Sequence, residues 1–264
     1  MSENNTSLLP DVITPVSDAI HQNLPETERQ ADGALSTVVG FFNNVVLYPV
    51  KKANLTFRYK LEAFEDDLKE KIKDIPEENL QLPPTMIAGP TLEALRYTYD
   101  EAELREMYEN LLASAMDTRK DTETHPAYVD AIRQMSPLDA QVMAEIVNYT
   151  QLRCISIKFS IVDSTNVYSK GMPDYFVEEL CGLADPFAVS ASLINLSRLG
   201  LIEIVNGTIK GADYETLKSH PYVISRKELF DRFGNEFILK DTKSTVALNN
   251  YGINFAKVCL AKEL

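Results

Sequence analysis

Residues Pro90–Pro137, PTLEALRYTYDEAELREMYENLLASAMDTRKDTETHPAYVDAIRQMSP, decide how the chain is read. Two helices and the entry to a third are legible there. Gly89-Pro90 reads as a stop followed by a start, with proline at a first helical position, where its missing N–H costs nothing. Leu92, Leu95, Arg96 and Tyr99 then share a helix face. Asp100 followed by Glu103 reads as a capping box, the Asp accepting from free backbone N–H groups and the Glu reaching back. The helix after it runs to about Met116. It places Leu104, Met107, Tyr108, Leu111, Leu112 and Ala115 on one side, expected in the core, with Glu103, Glu106, Glu109 and Asn110 as an acidic outer face. Asp117–Thr124 reads as polar loop. His125-Pro126 opens a short helix to about Met135. Ser136 then caps a further helix, with Pro137 at its first position, Asp139 at its third, and Leu138, Val142, Met143, Ile146 and Val147 facing inward.

Upstream, residues 1–31 are polar and interrupted by Pro10, Pro15 and Pro25, which predicts a flexible lead. From Asp32 the spacing of Leu35, Val38, Val39, Phe42, Val46 and Leu47 predicts an amphipathic helix that Pro49 breaks. Leu55, Tyr59, Phe64, Leu68, Ile72 and Ile75 make a second apolar stripe, ended by Pro76. Pro76–Pro84, closing in LPP, reads as a stiff extended connector. The apolar window Val38–Val50 is too short and too interrupted for the ~20 residues of a membrane span. Lys51, Lys52, Arg58 and Lys60 follow it, so residues 38–60 could lie on a membrane surface. The plainer reading is the solvated face of a core helix.

Downstream, Gln151–Lys170 includes CISIKFSIVD, whose alternation suits a strand, with a helix as the alternative. Asp185-Pro186 reads as a cap and first position for the helix FAVSASLINLSRL, and Gly200 sits where a terminating glycine belongs. The strand LIEIV comes next. Asn206-Gly207 predicts a two-residue hairpin turn into Thr208–Lys210. EFILKD and STVALNN read as a second hairpin, and YGINFAKVCLAKEL as a closing helix. This order of helix, strand, hairpin and helix resembles a winged helix-turn-helix, with Gly211–Asn235 as an insertion. The expected fold is therefore mainly α: a lead at 1–31, a helical domain at 32–135 and a winged-helix-like α+β domain at 136–264.

In such modules the helix before the Gly-Leu-Ile strand is the one that enters a major groove. Here it offers Arg198, with Ser190, Ser192 and Asn195 as neutral donors, and a DNA reader needs several phosphate-binding cations. The formal net charge of -13 also disfavours nucleic acid and anionic lipid. That charge belongs to the first part, where 24 acidic residues face 13 basic ones through Met135, against 15 and 13 from Ser136 onward. A packing or protein-interaction module is the preferred reading, and a DNA-binding regulator the alternative.

Catalytic and cofactor signatures are not found, and no cofactor is expected. His21, His125 and His220 are far apart, and the three cysteines Cys154, Cys181 and Cys259 match neither a zinc pattern nor a disulfide framework. Phosphate-binding glycine loops and a GxSxG nucleophile elbow are missing too. The pairs Asp66-Asp67 and Glu77-Glu78 read as solvated surface, since neighbours on a helix do not face each other. His125, beside Asp121 and Glu123, is a candidate titrating position, although a turn before a short helix is the plainer reading. Met1–Asp11 lacks a basic region followed by an apolar core, which predicts a soluble cytoplasmic protein.

Three stretches carry a family resemblance. IPEENLQLPP, GPTLEALRYTYDEAELREMYENLLASAMD and HPAYVDAIRQMSPLDAQVM resemble the Abi-alpha (abortive infection alpha) family of bacterial antiphage defence proteins. The patterns at Leu193–Ile204 and Ala247–Cys259 resemble the downstream part of the same proteins. The resemblance implies a non-enzymatic sensor or scaffold in defence, with another defence protein or a phage component as partner. It transfers no catalytic residue. Candidate interaction positions are Lys51, Lys52, Arg58, Lys60, His125 and Arg198.

Overall fold

A computed structural model describes residues 55–161, 167–168, 171–232 and 237–263. The expected lead and the expected helix from Asp32 lie outside them. The chain divides into two compact units, Met1–Glu65 and Asp66–Leu264. The boundary falls inside the first described helix, α1 (Leu55–Ile72). Phe64, Leu68 and Ile72 are buried, as the apolar spacing predicts. The connector after α1 holds one 3-10 turn at Glu77–Asn79 before it extends.

α2 (Thr85–Thr98) begins earlier than expected. The Pro83-Pro84 pair sets its start, and Ile87 and Ala88 N–H both donate to Pro84 O at 2.9 Å. Pro90 therefore lies inside the helix and not at its first position. An interior proline costs about 3 kcal/mol through a lost N–H and a clash one turn back. Two features soften that cost. Gly89 brings no Cβ to the crowded position before proline, and Pro90 and Met86 both face solvent.

α3 (Ala102–Ala115) is the central helix. Its expected core face is buried throughout, with Tyr108, Leu111 and Leu112 fully inaccessible. The expected cap residue, Asp100, lies one position before the cap. Glu101 occupies the cap position without a side-chain bond, and Glu103 Oε1 instead accepts from Gln141 Nε2 at 2.7 Å. Nor is its other side a uniformly acidic outer face. Glu109 and Asn110 are buried, because α3 is covered from both sides.

α4 (Ala127–Arg133) and α5 (Pro137–Ile146) follow. The Ser136/Asp139 capping box is formed in full: Asp139 N–H donates to Ser136 Oγ at 3.1 Å, and Ser136 N–H to Asp139 Oδ2 at 2.7 Å. Both α4 and α5 pack on α3. Val142, Met143, Ile146 and Val147 are buried, and Leu138 is half-buried.

The remaining architecture is a four-stranded antiparallel sheet with helices against it, ordered β2-β1-β4-β3. β1 is Leu152–Ile161, β2 Val167–Tyr168, β3 Ile202–Asn206 and β4 Phe237–Leu248. The strand reading of CISIKFSIVD thus holds over residues 154–161. The two expected hairpins do not. β3 pairs with β4, Ile202 opposite Leu248 and Asn206 opposite Ser244, so Asn206-Gly207 leads out of the sheet and Thr208–Lys210 is no strand. Residues 237–241 of EFILKD and 244–248 of STVALNN belong to one continuous strand, which β1 pairs from Phe237–Ile161 to Val246–Leu152. Unbroken pairing with β1 leaves β4 no freedom to turn at Asp241–Ser244.

Between β3 and β4 the chain forms α7 (Glu215–Lys218) and α8 (Pro221–Asp231). Ile155, Ile157 and Phe159, alternate residues of β1, pack there with Phe176, Tyr214, Leu217 and Val223. Before β3 runs α6 (Pro186–Arg198), and after β4 runs α9 (Asn250–Cys259). α9 returns to α3. Asn110 Nδ2 donates to Cys259 O at 3.0 Å and Ser114 Oγ to Val258 O at 3.2 Å, so α3 side chains satisfy two carbonyls that the end of α9 leaves open. The division expected between 135 and 136 lies within this unit, whose helical and sheet parts share α9.

Candidate functional site

α6 carries an apolar side open to solvent. Its ends are fixed by local chemistry. Phe187 N–H donates to Asp185 Oδ1 at 2.9 Å, and Pro186 takes the first helical position. At the other end Gly200 adopts φ 73°, Gly200 N–H donates to Ser197 O at 3.0 Å, and Leu201 N–H to Leu196 O at 3.1 Å. This pair of bonds is the Schellman closure that glycine permits. Val189, Leu193 and Leu196 point into the protein and are buried.

The polar residues that would have made α6 a DNA reader are committed elsewhere. Ser190 and Ser192 are buried, and Ser190 Oγ accepts from Tyr175 N–H at 3.0 Å. Asn195 Nδ2 donates to Gln134 O and to Asp139 Oδ2, both at 3.0 Å. Arg198 is exposed. Its Nη1 donates to Gln134 Oε1 at 3.0 Å, and Nε and Nη2 donate to Asn195 Oδ1 at 3.1 and 2.8 Å. These bonds clamp the last turns of α6 to the turn between α4 and α5.

What α6 presents outward is apolar. Phe187, Ala188, Ala191 and Ile194 are exposed, Phe187 at 41% and Ile194 at 43% of their full surfaces. Helical spacing aligns Phe187, Ala191 and Ile194 along one side. The Arg226 guanidinium of α8 sits over the Phe187 ring, 5.6 Å from its centroid. Arg226 Nε also donates to Gly171 O at 2.9 Å, so the cation is held in place. The signal for this face was present in the sequence. FAVSASLINL is apolar nearly all round, and a helix of that kind is covered on more than one side.

Lys51 and Lys52 lie outside the described residues. Arg58 and Lys60 belong to α1, Lys60 half-buried. His125 is exposed, and its Nδ1 accepts from Ala127 N–H at 3.0 Å beside the rings of Tyr128 and Tyr251. It therefore caps α4 in the manner of an N-cap side chain. His220 does the same for α8, accepting from Tyr222 N–H at 3.2 Å. Asp66-Asp67 and Glu77-Glu78 are exposed. Among the described residues no group of three His, Cys, Asp or Glu side chains could hold a metal ion. A hollow of about 390 Å³ lies among Lys120, Glu123, Lys257 and the residues after α9. Its charges offset one another, with Lys257 Nζ 3.2 Å from Glu123 Oε1.

The cysteines are free, Cys154 and Cys259 buried and Cys181 half-buried. Burial pushes the Cys154 thiol up to about 12 and that of Cys181 to about 11, which keeps both as unreactive thiols at neutral pH. Burial also pushes the Glu109 carboxyl up to about 6, against the pull of Lys71 and Arg105. Lys71 Nζ is 3.7 Å from Glu109 Oε2 and Arg105 Nε 3.5 Å from Oε1. Sequence periodicity placed Glu109 on the outside, so this buried acid was missed. Its cover comes from outside its own helix, beyond the reach of local pattern.

Residues 56–259 match the family model described as abortive infection alpha. The chain belongs to the abortive infection alpha family. The match runs from α1 to the last residue of α9, so the family pattern includes the sheet and α6 as well as the helices around α3. No curated protein and no solved structure matches the chain. Among the described residues no helix is long and apolar enough to cross a membrane.

Proposed function

We propose that the protein is a non-enzymatic component of bacterial defence against bacteriophage, acting in the cytoplasm as a sensor or scaffold through protein contacts. Family membership supports the defence role. The exposed apolar side of α6 is the observation that carries the mode of action. We read α5, α6 and the β3–β4 pair as a winged-helix-like arrangement in which the helix that would enter a groove is turned to protein docking. Groove readout depends on donors and acceptors aimed at base edges and on cations at phosphates. The outward side of α6 carries Phe187, Ala188, Ala191 and Ile194, and its Asn195 is bonded to Gln134 and Asp139.

The test is plating efficiency across a broad phage panel, comparing cells with the wild-type gene, an empty vector and Ile194→Asp. The expected outcome is reduced plating with the wild type and plating at vector level with Ile194→Asp, the variant remaining folded. Unchanged titres with the wild type across the panel would count against a defence role. Full protection by a folded Ile194→Asp protein would count against α6 as the interacting face.

A further inference from the structure

We infer that the outer side of α6 receives an acidic amphipathic helix of a partner protein. The inference rests on the reading of α6 as the interaction face and adds the chemistry of what docks there. Phe187 and Ile194 stand at two ends of a shallow strip, with Ala188 and Ala191 between them. Two larger apolar side chains flanking two methyl groups leave a dip into which a partner's side chain can settle. Apolar anchors repeating at three and four residues on a facing helix match that strip.

Charge sets the sign of the partner. A guanidinium lies at each end of the strip, Arg226 over Phe187 and Arg198 on the last turn of α6. Among the described residues neither has a carboxylate partner. Arg226 donates to Gly171 O, and Arg198 donates to Asn195 and Gln134, all neutral acceptors. In a chain with 39 acidic residues this is an unusual placement. Two carboxylates that bond to α6 are already engaged: Asp185 accepts from Phe187 N–H, and buried Asp139 accepts from Ser136 and Asn195. Guanidinium groups pair with carboxylates in a bidentate fork, stronger and more directional than a lysine contact. From Phe187 to Arg198 the helix rises roughly 16 Å, so the complementary helix carries acids about three turns apart around its apolar stripe. A basic segment would meet two fixed cations. A nucleic acid would meet an apolar centre with nothing to read it.

The experiment places a photo-reactive phenylalanine derivative at Ala191 in the full-length protein. Cells are irradiated with and without phage, and the crosslinked segment is identified by mass spectrometry. The expected adduct is a peptide with an apolar stripe and Asp or Glu at both ends. Its yield should fall by about fivefold or more in Arg198→Glu and in Arg226→Gln, each checked for an unchanged melting temperature. A neutral or basic crosslinked segment, a nucleic-acid adduct, a yield indifferent to both variants, or no adduct in either condition overturns the inference. Plating assays keep the two readings apart. Loss of protection in Ile194→Asp with a non-acidic adduct retains α6 as the interface and discards the acidic partner. Retained protection in that variant discards both.

Discussion

α3 and α6 are both helices of about four turns, and both look amphipathic in sequence. In α3 the supposed outer side is buried, polar groups included, while in α6 the outer side is apolar and exposed. α3 acquires its cover from α9, whose last carbonyls take the amides and hydroxyls of Asn110 and Ser114. α6 has no such returning element among the described residues. The contrast separates two meanings of an anomalous face. A polar group inside, once bonded, is structure. An apolar group outside with cations at its ends is what the proposed docking role rests on.

The most severe way to break the contrast is Leu111→Asp. Leu111 is fully inaccessible on α3, and an unpaired charge there costs about 4 kcal/mol or more, enough to remove most of a domain's stability. Circular dichroism should show loss of the cooperative melt. A melting temperature equal to the wild type would remove α3 from the centre of the fold.

Glu109→Gln sharpens it in the opposite direction. The folded-state value of about 6 lies above the ordinary 4.5, so the folded protein holds this proton more tightly than the unfolded chain. Stability from that group is fully present below about 4.5 and is lost as pH rises through about 6. A neutral amide avoids the loss. At pH 7.5 the variant should be more stable by roughly 1–2 kcal/mol in urea denaturation, with the gain fading as pH falls toward 4.5. A variant less stable at pH 7.5 would mean that Lys71 and Arg105 outweigh desolvation.

Local chemistry was legible in the sequence and distant pairing was not. Ser136 with Asp139, Asp185 before Pro186, and Gly200 behave as read, because each device closes within a few residues. Pro90 misled because proline marks a helix start only if no better start precedes it, and Pro83-Pro84 does. Asn206-Gly207 misled because its strand finds its partner about forty residues on, in β4, after α7 and α8 have intervened. The same holds for the candidate site. The apolar residues of α6 were visible, but which of them face out depended on where α5 and β3 pack against it.

His220→Ala tests a smaller contribution. The imidazole Nδ1 accepts from Tyr222 N–H at 3.2 Å, and the ring lies 5.2 Å from that of Phe176. Removing the cap should cost about 1 kcal/mol, while His220→Asn, with a competent cap oxygen, should recover part of it. Equal losses in the two variants would assign the whole effect to the ring contact with Phe176. Either way the loss should appear around α8, the helix that holds Arg226 over Phe187, so hydrogen exchange there should quicken before it does in α3.

The smallest expected effect on stability falls on the residue expected to matter most for function. Ile194 is 43% exposed on the outward side of α6, and its neighbours along that side, Ala191 and Arg198, are exposed as well. Replacing it by Asp strands no buried charge and opens no cavity, so the stability change should stay within about 0.5 kcal/mol. A surface valued only for solubility would gain from the added charge. A docking surface would lose one of its two larger apolar anchors, and desolvating the new carboxylate on binding would add to the cost. The decisive comparison is therefore within one variant: an unchanged melt together with lost protection assigns Ile194 to a partner. A melt lowered as far as that of a core variant would instead place Ile194 in packing contact within the chain, and the outer face of α6 would join α3 as structure.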